Sequence, residues 1–182
     1  MNNILKALGV LFVTLLLQVL LFRFGVFFGG KGMVFFHLYG LVLFPLCLNR
    51  TGYLLLGAMT GALLDLVLLT GGLHMAAGSV LGMILPHLAS VIAPRDGFVK
   101  GHVINALKDG WRTFVLYSFL VSVIYSSVLF AIEGGRMGLV LSALWKGLLS
   151  GFLNLVLMVL AQGLFGIKRN NKKSKVSAYP WS

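Results

Sequence analysis

Six long runs of apolar residues divide this sequence and restrict what it can fold into. They cover residues 4–22, 33–48, 53–69, 75–93, 111–132 and 137–165. A helix needs about 20 predominantly apolar residues to cross the hydrocarbon core of a bilayer. Hydrophobic residues make up 59% of the chain and charged residues only 10%, which leaves too little polar surface for a soluble protein. The sequence therefore predicts an all-α integral membrane protein with six transmembrane helices.

Two of the runs differ in length from a typical span. The run at 33–48 has 16 residues, which make about 24 Å of helix, so we expect it to borrow flanking residues or to pack away from lipid. The run at 137–165 is longer than a bilayer requires. Because Trp145 and Lys146 are residue types that favour the membrane interface, the last span is expected to begin there. Residues 137–144 would then lie along the outer surface or extend the helix.

The distribution of basic residues predicts the orientation. Cytoplasmic loops of membrane proteins carry an excess of Lys and Arg. Of the 15 Lys and Arg residues, 11 fall at one end of the predicted spans, and the other four are Arg23, Lys31, Arg136 and Lys146. Both termini are therefore predicted to be cytoplasmic, with the first run kept as an uncleaved span. We predict a transmembrane domain over residues 1–167 and a polybasic, disordered cytoplasmic tail over residues 168–182.

The net charge of +11 is thus assigned mainly to orientation, and no nucleic-acid partner is predicted. Basic residues at the cytoplasmic surface also attract anionic lipid headgroups. We predict such contacts with membrane lipids for Arg95, Lys100, Lys108, Arg112, Lys168 and Arg169. Between the fourth and fifth runs, three apolar residues spaced for one helical face favour a short helix in the headgroup layer: Val99, Val103 and Leu107. An ordinary solvated connection is the alternative.

Asp65 is the only acidic residue inside a predicted span. An ionisable side chain at membrane depth indicates function by default, as a proton relay, a cation site or a substrate anchor. The alternative is a structural carboxylate bound by a hydroxyl, a histidine or a helix end, and the lack of a second acid in the spans favours it. The glycines that precede Leu73 and His74 predict a tight outer turn, from which His74 could reach Asp65.

Small residues four positions apart recur in three of the runs. The pairs are Gly57 with Gly61, Gly78 with Gly82, and Gly147 with Gly151. This spacing lets the backbone of another helix approach closely. We predict that these glycines pack helices within the chain, and a docking face for a partner's transmembrane helix is the alternative.

Few residues are suited to catalysis or metal binding. The four histidines show no metal-ligand spacing, and the single cysteine excludes an internal disulfide. Polar residues in the last two runs are expected to hydrogen-bond across helices: Ser118, Ser122, Tyr125, Asn154 and Gln162. For Ser118, Ser122 and Tyr125, which share one helical face, the lining of a polar cavity is the alternative. No acid and base accompany the hydroxyls to make a nucleophile. The sequence predicts no enzyme, no cofactor and no metal site.

Residues 57–86, GAMTGALLDLVLLTGGLHMAAGSVLGMILP, resemble the central signature of the rod-shape-determining MreD family. In that signature a Gly-x-x-x-Asp-Leu run precedes a Gly-Leu-His turn and a helix of small residues. Residues 94–98, and 108–111 leading into Tyr117, resemble Bacteroidetes-type members of the family. The resemblance covers residues 2–169.

The resemblance implies a non-enzymatic, multi-pass subunit of the bacterial inner (cytoplasmic) membrane. It would belong to the elongasome, which directs lateral peptidoglycan synthesis and maintains rod shape. The implied partners are MreC, RodA, a class B penicillin-binding protein and MreB. The family-like residues are expected to shape a groove for a partner or a lipid: Gly57, Gly61, Asp65, Gly72, Leu73 and His74.

The MreD family is also similar in fold to the S components of energy-coupling-factor transporters, which are six-helix proteins that bind vitamins. This likeness gives a second hypothesis, a substrate-binding transporter subunit whose pocket uses Asp65, His74 and the fifth run. The third hypothesis is an integral-membrane enzyme that acts on lipid-linked substrates. It is the weakest, since the sequence does not place an acid and a base together.

Overall fold

The computed structural model of the protein describes residues 2–22, 26–27, 31–95, 97–135 and 140–165. Its elements in chain order are α1 (Asn2–Phe22), β1 (Val26–Phe27), β2 (Gly32–Met33), α2 (His37–Val42), α3 (Arg50–Leu68), α4 (Leu73–Ile92), α5 (Ala106–Asp109), α6 (Trp111–Gly134) and α7 (Val140–Phe165). The two short strands pair antiparallel. The prediction of a helical protein is confirmed. The predicted tail, residues 168–182, lies outside the described residues.

Within the described part of the chain, four helices, α3, α4, α6 and α7, are long and apolar enough to cross a membrane. They carry large apolar side chains that the rest of the described chain leaves exposed, among them Leu55, Leu66, Met83 and Leu160. Water disfavours such exposure, whereas the hydrocarbon of a bilayer does not. The prediction of apolar transmembrane helices is confirmed for these four. α1 contains a shorter apolar stretch, Ile4–Leu20.

The run at 33–48 does not form the continuous helix that was predicted for it. Only His37–Val42 is helical, and the chain on both sides of it is extended or turned. All the residues of this short helix are buried, so the segment packs away from lipid. Gly40 permits the close packing, because a Cβ atom there would overlap the hydroxyl of Thr14 in α1.

The last helix begins before the predicted interface residues. α7 starts at Val140 and continues through Trp145 and Lys146, so residues 140–144 extend the helix. This is one of the two arrangements that the length of the last run allowed. Residues 137–139 lie outside the described part of the chain.

The connection between α4 and α6 has less helix than its apolar spacing favoured. Only Ala106–Asp109 is helical. The preceding residues pair with the chain that follows α2, because the N–H of Leu46 donates to the carbonyl of His102 at 2.7 Å and the N–H of Gly101 donates to the carbonyl of Leu46 at 2.8 Å. Val99 and Val103 therefore lie in an irregular segment.

Two helical hairpins form the body of the molecule. α3 packs against α4, α6 packs against α7, and the two hairpins meet where α4 packs on α6. α2 packs against α1 and α6. The side chains at the centre of this packing are almost fully buried and include Phe35, Leu38, Ala77, Leu81, Phe114 and Val121.

Candidate functional site

Four of the six glycines in residues 57–86 lie where α3 and α4 touch, and we call this contact the α3–α4 seam. A Cβ atom at Gly57 would overlap the carbonyl oxygen of Gly78. One at Gly61 would overlap the carbonyl of His74, and one at Gly82 that of Tyr53. The two backbones are therefore in direct contact along most of the hairpin, as small residues four apart permit. The seam joins two helices of the same chain.

The third pair of small residues, Gly147 with Gly151, has a similar place in the other hairpin. A Cβ atom at Gly147 would overlap Ser127, and one at Gly151 would overlap Val123. Both neighbours belong to α6. The structure thus places Gly147 and Gly151 on the contact between α6 and α7.

Asp65 lies near the end of α3 and binds the beginning of α4. Its carboxylate accepts hydrogen bonds from the backbone N–H of His74 at 3.0 Å and of Met75 at 2.7 Å, and from the hydroxyl of Thr70. The first N–H groups of a helix have no partner within the helix, and the positive end of the helix dipole favours a negative charge there. Asp65 therefore caps α4 from the preceding helix.

The turn between these helices has a backbone that suits glycine. Gly71 and Gly72 have φ of 64° and 96°, in the left-handed region that residues with a side chain rarely adopt. Leu69 ends α3 in the same region, with φ of 55°. Leu73 then begins α4 and is half-buried. This tight turn brings the carboxylate of Asp65 to the N-terminus of α4.

The ring of His74 is buried and faces α6. Its Nδ1 lies 2.7 Å from the hydroxyl oxygen of Tyr125 in α6. Phe35 and His37 pack against the same two rings, with centroid separations between 5.1 Å and 6.4 Å. All four side chains are buried, and we call them the buried ring cluster. Nδ1 of His37 has no hydrogen-bond partner among the described residues.

Two buried amides hold the extended chain that leads into α2, and the sequence did not point to the first of them. The side chain of Gln18 in α1 donates to the carbonyl of Val34 at 3.0 Å and accepts from the N–H of Phe36. From α7, Asn154 donates to the carbonyl of Met33 at 3.1 Å and accepts from the N–H of Phe35. Backbone without helical hydrogen bonds is tolerated at membrane depth only where protein encloses and satisfies it. The only sequence signal for Gln18 was a single amide in an apolar run.

A network of hydrogen-bonded side chains lies near the start of α5. The hydroxyl of Tyr39 donates to the side-chain oxygen of Gln162 at 2.9 Å, and the Gln162 amide donates to the side-chain oxygen of Asn105 at 2.8 Å. The same oxygen of Asn105 accepts from the N–H of Leu107 and so caps α5. Gln162 thus connects α7, α2 and α5, in the cross-helix role expected for it.

The hydroxyls of α6 do not share one site. The hydroxyl of Tyr125 meets His74, whereas that of Ser122 faces the sulfur of Met158 at 3.9 Å. The hydroxyl of Ser118 is buried with no partner among the described residues. Within the described ranges, no three His, Cys, Asp or Glu side chains come together as a metal site requires.

The predicted groove residues separate into three places. Asp65 and Gly72 line an open groove of ≈ 560 Å³ at the turn between α3 and α4. Gly57 and Gly61 lie in the α3–α4 seam, and the ring of His74 lies in the buried ring cluster. The family-like segment therefore builds a closely packed hairpin, and Asp65 and Gly72 are its predicted residues that reach the groove.

The predicted lipid-binding cations are exposed where the structure describes them. Lys100 lies in the irregular segment before α5, and Arg112 lies in the first turn of α6. Arg95 lines an open groove of ≈ 380 Å³ beside Pro86 and Tyr53, and Lys108 lines a smaller cleft near the start of α1. The other two, Lys168 and Arg169, lie outside the described residues.

No protein-family model, curated protein or solved structure matches this chain. The resemblance to the MreD family therefore rests on the motif residues themselves. The structure gives several of those residues a physical role: Asp65 caps α4, Gly72 turns the chain, and Gly57 and Gly61 allow α3 to contact α4.

Proposed function

We propose that this chain is an MreD-like, non-enzymatic scaffold subunit of the bacterial inner membrane. In this role it binds MreC and helps to hold RodA, a class B penicillin-binding protein and MreB together for lateral peptidoglycan synthesis and rod shape. The observation that carries the proposal is the use of Asp65, the one acidic residue inside the predicted spans. Three donors of its own chain engage the carboxylate, and two of them belong to the start of α4. These hydrogen bonds support a structural role for the Asp65 carboxylate, in joining α3 to α4.

The α3–α4 hairpin supports a docking role. Its seam is closed by backbone contact, while its other faces carry exposed apolar side chains such as Met59, Leu63 and Met83. A rigid pair of helices with an apolar outer surface suits a partner's transmembrane helix as well as lipid. We assign the contact with MreC to this hairpin.

The second hypothesis, a transporter subunit like the S components, needs polar groups that are available to a ligand in the half of the membrane near the α3–α4 turn. Asp65 and the ring of His74 were its main candidates, and each is engaged by groups of its own chain. Of its remaining candidates, Tyr125 is the partner of His74 and Ser122 faces Met158. These contacts favour the scaffold.

Our proposal includes six membrane passes with both termini in the cytoplasm. α1 makes the first pass, and residues 31–49 make the second as an enclosed, mostly non-helical segment. Two observations support the orientation. Lys6 and Lys108 line the same cleft, and Arg95 lies beside Tyr53 at the opposite end of the α3–α4 hairpin from Asp65. Cations thus gather at one end, which is typical of the cytoplasmic side.

Co-purification tests the proposed function. The full chain, tagged and extracted from its native membrane in mild detergent, is expected to recover MreC and the elongation enzymes. Asp65→Ala should insert normally but recover less MreC, because its hairpin is loosened, whereas Glu133→Ala removes an exposed acid at the end of α6 and should recover the normal amount. Recovery of none of these proteins, together with a retained vitamin-like ligand, would replace the scaffold with the transporter hypothesis.

A further inference from the structure

A narrow cleft of ≈ 260 Å³ opens between the beginning of α1 and the end of α7, and we call it the lysine cleft. Val10 of α1 and Phe165 of α7 form apolar walls, and Tyr39 and Leu43, in and just after α2, lie between them. Val10 and Phe165 line the cleft and are themselves exposed, so the cleft opens on the outer side of α1 and α7. In a membrane that side is occupied by lipid.

Two lysines give the lysine cleft its charge. Lys6 comes from α1 and Lys108 from α5, and no acidic side chain is among the described residues that line it. The neighbouring carboxylate of Asp109 is engaged elsewhere, with one oxygen 2.9 Å from Nε2 of His102 and the other accepting from the N–H of Asn105 at 2.9 Å. Two cations that line one narrow space favour the binding of an anion there.

The inner surface of the cleft is polar and ordered by its own hydrogen bonds. Tyr39, Gln162 and Asn105 form the hydrogen-bonded network near the start of α5, and all three are buried. The hydrogen bonds of the Asn105 side chain within the described residues use its oxygen, which leaves its NH₂ group as a further donor at the cleft. A phosphate oxygen accepts hydrogen bonds from such groups.

An apolar path leads away from the cleft along α1. Val10 and Val13 are exposed by 38% and 54%, and Leu17, one turn further, by 38%. Residues three and four apart lie on one face of a helix, so these side chains form a continuous stripe. The stripe runs from the lysines toward the middle of the predicted first span, which is the course of an acyl chain.

We propose that the lysine cleft binds one anionic phospholipid, with the phosphate between Lys6 and Lys108 and an acyl chain along Val10, Val13 and Leu17. The occupant has to be amphipathic because charge and apolar surface adjoin in a single site. The site requires only that the chain lies in a membrane and does not depend on the scaffold role. In the proposed orientation it takes a lipid of the cytoplasmic leaflet.

Native mass spectrometry of the full chain in detergent, titrated with phosphatidylglycerol or phosphatidylcholine, tests the proposal. We expect one phosphatidylglycerol to be retained far more tightly than phosphatidylcholine. Lys6→Gln or Lys108→Gln should weaken phosphatidylglycerol binding about fivefold each, and the double variant about 30-fold. The matched control, Lys31→Gln with Arg50→Gln, makes the same change in net charge at exposed residues outside the cleft and should change the affinity less than twofold. Equal losses in the two double variants, or equal retention of the two lipids, would overturn the proposal.

A second variant tests the apolar part of the site. Val10→Trp fills the lysine cleft while both lysines remain, and we expect it to release phosphatidylglycerol. Since Val10 is partly exposed, the Val10→Trp variant should fold, and thermal unfolding in lipid-free detergent checks this. If Val10→Trp does not fold, the smaller substitution Val10→Phe takes its place. Unchanged lipid retention in the folded variant would place the lipid elsewhere. Displacement of the lipid by equimolar sn-glycerol 3-phosphate would assign the site to a soluble phosphate compound and would also overturn the proposal.

Discussion

The carboxylate of Asp65 joins two helices through side-chain and backbone donors that come from a stretch of only a few residues. Sequence reasoning foresaw this possibility, since a helix end was among the partners considered for a structural carboxylate. It did not foresee that His74 would present its backbone to Asp65 and its ring to Tyr125. The backbone and the ring of His74 have different partners because of the direction in which α4 leaves the turn. The spacing of residues in the sequence contains no information on that direction.

Asp65→Ala should lower the free energy of unfolding by about 1–2 kcal/mol, because a lost cap and a lost charge at a helix N-terminus each have a cost of this order. Thermal unfolding of the purified protein in detergent, followed by circular dichroism, measures the change. Glu133→Ala is the control, since this acid is exposed at the end of α6. An equal shift in both variants would show that Asp65 does not cap α4.

Asn154 should be less replaceable than Gln162, although both are buried amides in α7. Asn154→Leu leaves the buried N–H of Phe35 without its partner and removes a donor to the partly buried carbonyl of Met33, and an unpaired buried group costs about 1–3 kcal/mol. Gln162→Leu affects side-chain partners, one of which keeps its bond to Leu107. We expect urea titrations in detergent to show the larger loss for Asn154→Leu, and the reverse order would contradict the role given to it.

At the scale of elements, the apolar runs were sufficient to predict α3, α4, α6 and α7. The run at 33–48 is also strongly apolar, and it still does not form one helix. Its partners are Gln18, Ser150 and Asn154, two of them more than 100 residues away in the sequence. Hydropathy counts the apolar residues in a run and contains no information on such distant acceptors and donors, so the break could not be predicted from it.

The α3–α4 seam gives a prediction for the hairpin as a unit. Gly57→Ala places a methyl group against the backbone of Gly78, which no side-chain rotation can relieve, and should separate α3 from α4. Gly9→Ala is the matched control in α1, where the new methyl group meets no atom within 4 Å. We expect lower thermal stability in detergent for the first variant and, because alanine favours helix by about 1 kcal/mol, unchanged or higher stability for the second. Two equally stable variants would be evidence against close backbone contact at the seam.

At the scale of the whole molecule, the predicted orientation can be tested with single cysteines. In a Cys47→Ser background, Leu69→Cys marks the α3–α4 turn and Val99→Cys marks the opposite end, and both positions are highly exposed. A membrane-impermeant maleimide should label Leu69→Cys in intact spheroplasts, and Val99→Cys only after lysis. The opposite pattern would reverse the orientation.

The mostly buried segment at residues 31–49 also determines when the protein can finish folding. Asn154 binds the backbone of Phe35 but follows it in the sequence by 119 residues. Asn154 is therefore not yet synthesised when residues 31–49 leave the ribosome. Gln18 can receive the segment early, but Asn154 and Ser150 can bind it only after α7 has been made. The insertion of this nascent chain and its final packing are therefore separate events. α7, the last of the described helices to be translated, fixes the position of residues 31–49.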